Sequence, residues 1–361
     1  MWRNGRAYVL LEQGTPSDGL GASKKVANKA GEVETNVDPL DGDPEWEVEV
    51  EEKNEELPPE HYARQALSRD ELAMALRPII GDAEGRTYVA VEPAYDIADA
   101  ALAMSPDEEL VVEGQSFEPP EKKAQLIFGG DDRVVAPNSN PYRWMVHFSN
   151  NCSGVFIGWH TIITAAHCVY NPVTNAHKTP FTLTVFKQGS SSTGLGQIYI
   201  PNAGVGNGIA VPSGFDNDTE SGDKAWDFAV IDLTGYAVSP TGWNGYSVNY
   251  GGSSMKMYGW PRSGTGDNIV LCPGKTTNGW LCGMSGAGEV SDYRLESWEI
   301  DASRGQSGGP WLKSTNHTIG VHTGWREYVD IFKCGFICRR NYGRRLDSTF
   351  FSYIQANSAD L

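Results

Sequence analysis

Three short strings in this chain carry residues whose types suit one chemistry. Thr164-Ala165-Ala166-His167-Cys168 sets a histidine after a run of small residues, and Asp227-Phe228-Ala229-Val230-Ile231 sets an aspartate at the head of a strand-like run. Gly305-Gln306-Ser307-Gly308-Gly309-Pro310 sets a serine inside a glycine-rich turn. Each alone also reads as a surface histidine, a strand-capping aspartate or a loop serine. Taken jointly, in the order His, Asp, Ser with separations of 60 and 80 residues, they describe nucleophilic acyl transfer. A serine hydroxyl is a weak nucleophile until a neutral imidazole accepts its proton. A buried carboxylate fixes the tautomer of that imidazole and stabilises the imidazolium that forms. His167 is the expected general base, Asp227 its orienter and Ser307 the nucleophile. The glycines let the backbone turn so that the N–H groups of Gly305 and Ser307 converge as an oxyanion hole, in which removal of one donor costs about 3–4 kcal/mol. Gly308 and Gly309 leave room for close backbone packing beside the nucleophile. A phosphate-binding loop is also glycine-rich, but no Gly-Lys-Ser/Thr occurs, and no His-Glu-x-x-His suggests a metallopeptidase. No cofactor and no metal are expected.

The elements that must hold these residues read as all-β. From Gln125 onward, β-branched and aromatic runs alternate with turn residues: Trp144 to Phe148, Gly154 to Gly158, Phe181 to Phe186, Phe228 to Leu233, Met255 to Tyr258 and Ile319 to His322. Gly- and Asn-rich spacers such as Pro201 to Gly208 separate them. Helical spacing appears only at the end, where Phe350, Phe351 and Ile354 share one face. Many short strands in one segment argue for a sandwich or barrel.

The 361 residues carry a net charge of −17, unevenly distributed. Residues 1–124 hold 28 Asp and Glu against 12 Lys and Arg, whereas residues 125–361 hold 18 against 17. All six Cys and nine of the eleven Trp lie in the second part, so the chain divides into an acidic N-terminal segment, 1–124, and a domain over 125–361. Residues 31–60 are acidic, Pro-containing and poor in large apolar groups, the composition of disorder. Ser68 with Glu71 reads as a capping box opening a helix through Leu72, Met74 and Leu76 that Pro78 stops, and Thr87 to Val91 reads as a strand. The pair Lys122-Lys123 at the change of composition suits a processing cut, which makes 1–124 a pro-segment; a solvated acidic linker or a separate acidic interaction module are the other readings. No signal peptide is legible in Met1 to Leu11, whose apolar stretch Ala7 to Leu11 is short. The acidic balance argues against a nucleic-acid partner, and no apolar run approaches the ~18 residues of a membrane span.

The strings TAAHC, DFAVI and GQSGGP resemble the trypsin/chymotrypsin-like serine peptidases. The entry sequence Ile127-Phe128-Gly129-Gly130-Asp131-Asp132-Arg133 is similar to the glutamyl endopeptidase, V8-like, branch, as are Pro141-Tyr142-Arg143, Val321-His322-Thr323 and Asn341-Tyr342-Gly343-Arg344-Arg345. The resemblance covers residues 126–355 and implies a chymotrypsin-like double β-barrel with a C-terminal helix, the catalytic cleft between the barrels, and protein or peptide substrates. It implies the disulfide Cys152–Cys168 around His167, and sequence proximity adds Cys272–Cys282 and Cys334–Cys338; free thiols, or Cys334 and Cys338 as half of a zinc set, are the alternatives. The barrel is expected to begin near Leu126 or Ile127, with maturation by cleavage after Lys123, exposing Ala124, or after Gln125, exposing Leu126; the resemblance to this branch implies that the new α-amino group helps recognise an acidic side chain.

For specificity, family members of that branch place a histidine where this chain has His322, whose imidazole can donate to a substrate carboxylate. They carry Thr where this chain has Ala302, and Trp325 narrows the pocket mouth in this reading. Asp301 sits where trypsin-like enzymes hold the carboxylate that selects Arg or Lys, although Bacillus-type glutamyl enzymes also carry Asp there. With Thr323 these residues form the candidate substrate pocket, read as favouring Glu, with Arg/Lys cleavage the alternative. A non-catalytic binding protein on the same fold is the further rival; in dead homologues the triad commonly loses a member. Disulfides and the sequons Asn151-Cys152-Ser153, Asn217-Asp218-Thr219 and Asn316-His317-Thr318 suit secretion. His61, His147, His160, His177 and His317 show no ligand spacing, and a monomer is the expected state.

Overall fold

Alternating apolar and polar residues in runs of four to six cannot bury an apolar face alone; they do so by pairing side by side. In the computed structural model this pairing builds two large, almost wholly antiparallel sheets. The structure describes residues 2–3, 6–11, 33–35, 67–106, 108–114, 133–190, 192–204, 206, 208–215, 225–235, 242–261, 272, 275, 279–290, 293–297, 299–300, 302, 305–329 and 337–360. The first sheet runs through Gly208–Pro212, Ala229–Asp232, Thr161–Thr164, Cys152–Phe156, Met145–Phe148, Phe181–Val185 and Gly196–Ile200 in that order. The second runs through Arg294–Ser297, Ile337–Arg345, Thr318–Val329, Pro310–Lys313, Ser254–Gly259 and Cys282–Ala287. A C-terminal helix, Ser348–Asn357, closes the chain and buries Phe350, Phe351 and Ile354 as the spacing predicted. The architecture is the all-β, chymotrypsin-like arrangement that the resemblance implies, and each strand-like run named above lies on or overlaps a strand.

Sheet edges expose unpaired backbone groups, and on the first sheet that edge is covered by the N-terminal segment. Ser68 and Glu71 form the capping box on helix α1, Arg69–Ala75, and Pro78 opens the strand Pro78–Gly81, which pairs with Gly208–Pro212. Thr87–Ala90 and Arg6–Leu10 add two further strands, and helix α2, Tyr95–Ala103, packs on the C-terminal helix. Leu110–Val112 pairs with Tyr246–Val248 of the second sheet. Within the stretch read as disordered, Val33–Thr35 pairs with Trp325–Glu327; the rest of 31–60 lies outside the described residues, as does the Lys122-Lys123 pair.

Phe350, with no exposure, packs tilted against Phe228 at 4.2 Å between ring centroids, whereas Tyr199 is 55% exposed. Phe350→Ala is therefore expected to destabilise the fold by about 3–5 kcal/mol and Tyr199→Ala to stay within about 0.5 kcal/mol, as read from denaturant midpoints.

Candidate active site

The strand Thr161–Thr164 pairs with Ala229–Asp232 so that Thr164 stands opposite Ala229. That register puts Asp227, two residues before Ala229, beside the short helix Ala166–Val169 that follows Thr164 and carries His167. The His167 backbone N–H donates to Asp227 Oδ1 at 3.0 Å, and His167 Nδ1 lies 2.8 Å from Asp227 Oδ2. Asp227 has no solvent exposure, so its carboxylate depends on these donors. A carboxylate only accepts, which assigns the proton to Nδ1 and leaves a lone pair on Nε2. Nε2 is buried and has no hydrogen-bond partner.

Ser307 lies in a turn that meets both sheets. Gly305 and Gly308 take φ of +87° and +77°, values that favour glycine. A Cβ on Gly308 would stand 2.1 Å from Thr164 Oγ1 and 2.2 Å from the Ser153 carbonyl oxygen, so the turn presses against the strand end that launches His167. The Ser153 N–H donates to the Ser307 carbonyl at 2.7 Å and its hydroxyl to the Gly305 carbonyl at 3.1 Å. Gly308 N–H donates to the His322 carbonyl, and His322 N–H to the Gly309 carbonyl, both at 2.7 Å. The Gln306 amide donates to the Cys282 carbonyl at 3.1 Å and accepts from Arg133 at 3.2 Å. The turn is thus fixed from the first sheet, the second sheet and the chain at Arg133.

His322 is buried next to this turn, and its Nδ1 has no hydrogen-bond partner; the same holds for Thr323 Oγ1. Burial pushes the His322 imidazole down to about 3, helped by the nearby His167 and opposed by a hydrogen bond to the Tyr342 backbone. Ala302 is half-buried and packs on the second-sheet cluster with Met255, Leu295 and Trp311. Asp301 and the Trp325 side chain lie outside the described residues.

Three supports have roles that the sequence did not reveal. Arg344, almost wholly buried, donates from Nε to the Ala225 carbonyl at 2.6 Å and from its guanidinium to Asp347 at 2.9 Å, tying down the turn that delivers Asp227. Lys178 Nζ donates to the His167 carbonyl at 2.6 Å. Ser153 stood out only as part of a sequon; it is buried with its hydroxyl engaged, which suits Asn151 poorly to glycosylation. The other described histidines have local partners: His160 with Asp360, His317 with Glu113 and Thr315, His147 against Trp260, and His177 beside Thr87. Asn217 and His61 lie outside the described residues.

Cys152–Cys168 and Cys272–Cys282 are disulfides, as the resemblance and proximity suggested, while the proposed Cys334–Cys338 pair lies outside the described residues. Cys152, His167 and Cys168 lie close together, but the two sulfurs are bonded to each other and offer no thiolate. Among the described residues no helix is long and apolar enough to cross a membrane.

The family model described as Trypsin matches residues 127–339. The glutamyl endopeptidase of Bacillus licheniformis is 29% identical over 217 residues, 55% of this chain and 62% of that protein, so the chain spans less than two thirds of that relative's length. The extracellular metalloprotease of Bacillus subtilis is 25% identical over 250 residues, 63% of this chain and 68% of that protein. Among solved structures, a Glu endopeptidase in complex with MPD is similar at 23% identity and a TM-score of 0.46, over 64% of this chain and 98% of that one. A thermostable serine protease, AL20, from an extremophilic microorganism is similar at 17% identity and a TM-score of 0.39, over 60% and 97%.

The clash at position 308 gives a direct check on the turn. In a Ser307→Ala background, Gly308→Ala is expected to lower stability by more than about 1 kcal/mol, because strain and overlap coincide there. Thermal denaturation reads this out, and an unchanged midpoint contradicts the packing described.

Proposed function

The chain belongs to the trypsin family, and from that premise we propose that it is a serine endopeptidase that cleaves after Glu and is made as a secreted zymogen. The observation that carries the reading is the His167–Asp227 pair at 2.8 Å, which leaves Nε2 unengaged, together with the packing of the Ser307 turn against Thr164 and Ala165 just ahead of His167. In this mechanism Nε2 takes the Ser307 hydroxyl proton as Oγ attacks the scissile carbonyl. The Gly305 and Ser307 amides hold the oxyanion, and the imidazolium, stabilised by Asp227, protonates the leaving amine. Water then repeats the cycle on the acyl-enzyme.

Support for Glu over Arg or Lys comes from His322 and Thr323, two buried polar groups with unengaged atoms beside the nucleophile's turn. A site whose polar groups are left unpaired rejects substrates that cannot pair them. The pairing of Val33–Thr35 with the strand that also carries His322 supports a zymogen, because the acidic segment then lies along the specificity strand. Two disulfides suit an oxidising compartment.

A fluorophosphonate is expected to label Ser307, and Ser307→Ala is expected to lose several orders of magnitude in kcat with the fold intact. On paired peptides differing only at P1, Glu is expected to be cleaved faster than Arg, and His322→Ala to remove that preference. Faster cleavage at Arg, unchanged by His322→Ala, assigns specificity to Asp301 instead.

Burial holds the His322 imidazole down at about 3, so it is neutral at ordinary pH. A bound carboxylate favours its protonated form, so binding Glu takes up a proton and weakens as pH rises. The Glu-to-Gln ratio of kcat/KM is expected to fall with increasing pH. A flat ratio that His322→Ala leaves untouched contradicts the assignment.

A further inference from the structure

A segment that is to be released from a peptidase should leave behind a surface that water tolerates. Residues 67–112 would not. The strand Pro78–Gly81 continues the first sheet by pairing Ile80 with Ala210 and Ile79 with Val211, and the pairing extends through Ser213 N–H to the Arg77 carbonyl and Gly214 N–H to the Ala75 carbonyl, both at 2.9 Å. Leu72, Leu76, Ile79, Ile80 and Ile97 are each at most 4% exposed and belong to the same apolar core as Phe228 and Phe350. A Cβ on Gly81 would stand 2.2 Å from that of Ala203, so the strand fits without a gap. The segment also grips the second sheet, where Leu110–Val112 pairs with Tyr246–Val248 and Glu109 meets Lys313 at 2.7 Å.

These contacts stand behind the two carriers of the triad. Thr87 Oγ1 lies 3.3 Å from His177 Nδ1, and His177 precedes Lys178, whose ammonium holds the His167 carbonyl. Helix α2 packs on the C-terminal helix, whose Phe350 and Tyr353 pack on Phe228, the neighbour of Asp227. We propose that residues 67–112 are a permanent second chain of the working enzyme: after a cut between 115 and 126 they stay bound across both sheets, and what maturation releases is a covalent link and not this unit.

Release would expose a row of unpaired strand groups and several aliphatic side chains at once, which is the character of an obligate interface. The unit concerned is distinct from Val33–Thr35, which touches only the specificity strand among the described pairings. The cut rests on the zymogen reading and the activity arm below on the peptidase reading, whereas association of the two parts is independent of catalysis.

The test uses the full chain carrying Ser307→Ala, with the recognition sequence of a specific viral protease replacing residues 116–122. After cutting and dilution to nanomolar concentration, both fragments are expected to elute together in size-exclusion chromatography at one-to-one stoichiometry and to separate only in denaturant. Elution as two separate species overturns the proposal. Gly81→Leu in the same cut protein is expected to weaken association at least about tenfold, because the side chain must displace Ala203; no weakening removes the assigned strand from the interface and overturns the proposal too. The same cut in the Ser307 protein is expected to leave activity toward a short peptide at or above that of the uncut chain. Separation of the fragments with fluorophosphonate labelling intact sinks this proposal alone, whereas co-elution without labelling sinks the peptidase reading alone.

Discussion

A carboxylate sealed from water has to be met by donors, and this requirement organises the centre of the molecule. Asp227 has no exposure and is met twice by one residue, through the backbone N–H and Nδ1 of His167. Both bonds depend on the register that sets Thr164 opposite Ala229. A slip of one residue would turn every side chain of a strand to its other face and leave the carboxylate buried without partners, a state that costs several kcal/mol. The apolar runs on either side make that slip expensive, since Ile162, Ile163, Val230 and Ile231 are all fully buried. The hydrophobic pattern thus enforces the geometry of the His167–Asp227 pair.

The turn of Ser307 depends on the same strands from the other direction. Ser153 belongs to the first sheet and hydrogen-bonds to the carbonyls of Gly305 and Ser307, while Gly308 packs on the end of the strand leading to His167. The two sheets are joined at the turn where a reacting carbonyl would have to be held, so a disturbance of either sheet reaches the site. Arg344 makes a comparable bridge from the C-terminal strand to the turn before Asp227, with Phe228 and Phe350 under its guanidinium. Such a buried cation is retained only with full partnering, which its bonds to Ala225, Tyr293 and Asp347 supply.

Much of this was legible in the residues because the chemistry restricts them locally. His167, Asp227 and Ser307 sit in strings whose small and apolar neighbours are themselves required by the turn or strand. The capping box at Ser68 and Glu71 and the stop at Pro78 are likewise decided by nearest neighbours. What the strings did not reveal are contacts between distant segments: Ser153 with Gly305 across 152 residues, Arg344 with Ala225 across 119, and the edge-strand role of Pro78–Gly81. The acidic composition of residues 1–124 obscured the last of these, since its charge is concentrated in 31–60 while the apolar residues that join the core lie in 72–101. An averaged charge hid an ordered unit.

The proposed mechanism requires Ser307, His167 and Asp227 to act as one device with the Gly305 turn as its anion holder. A crystal structure with a peptidyl phosphonate carrying Glu at P1 tests that most directly. The expected result is a bond from phosphorus to Ser307 Oγ, the phosphoryl oxygen within hydrogen-bond distance of the Gly305 and Ser307 amides, and the Glu carboxylate against His322 Nδ1. Attachment to another residue, or a phosphoryl oxygen turned away from those amides, would contradict it.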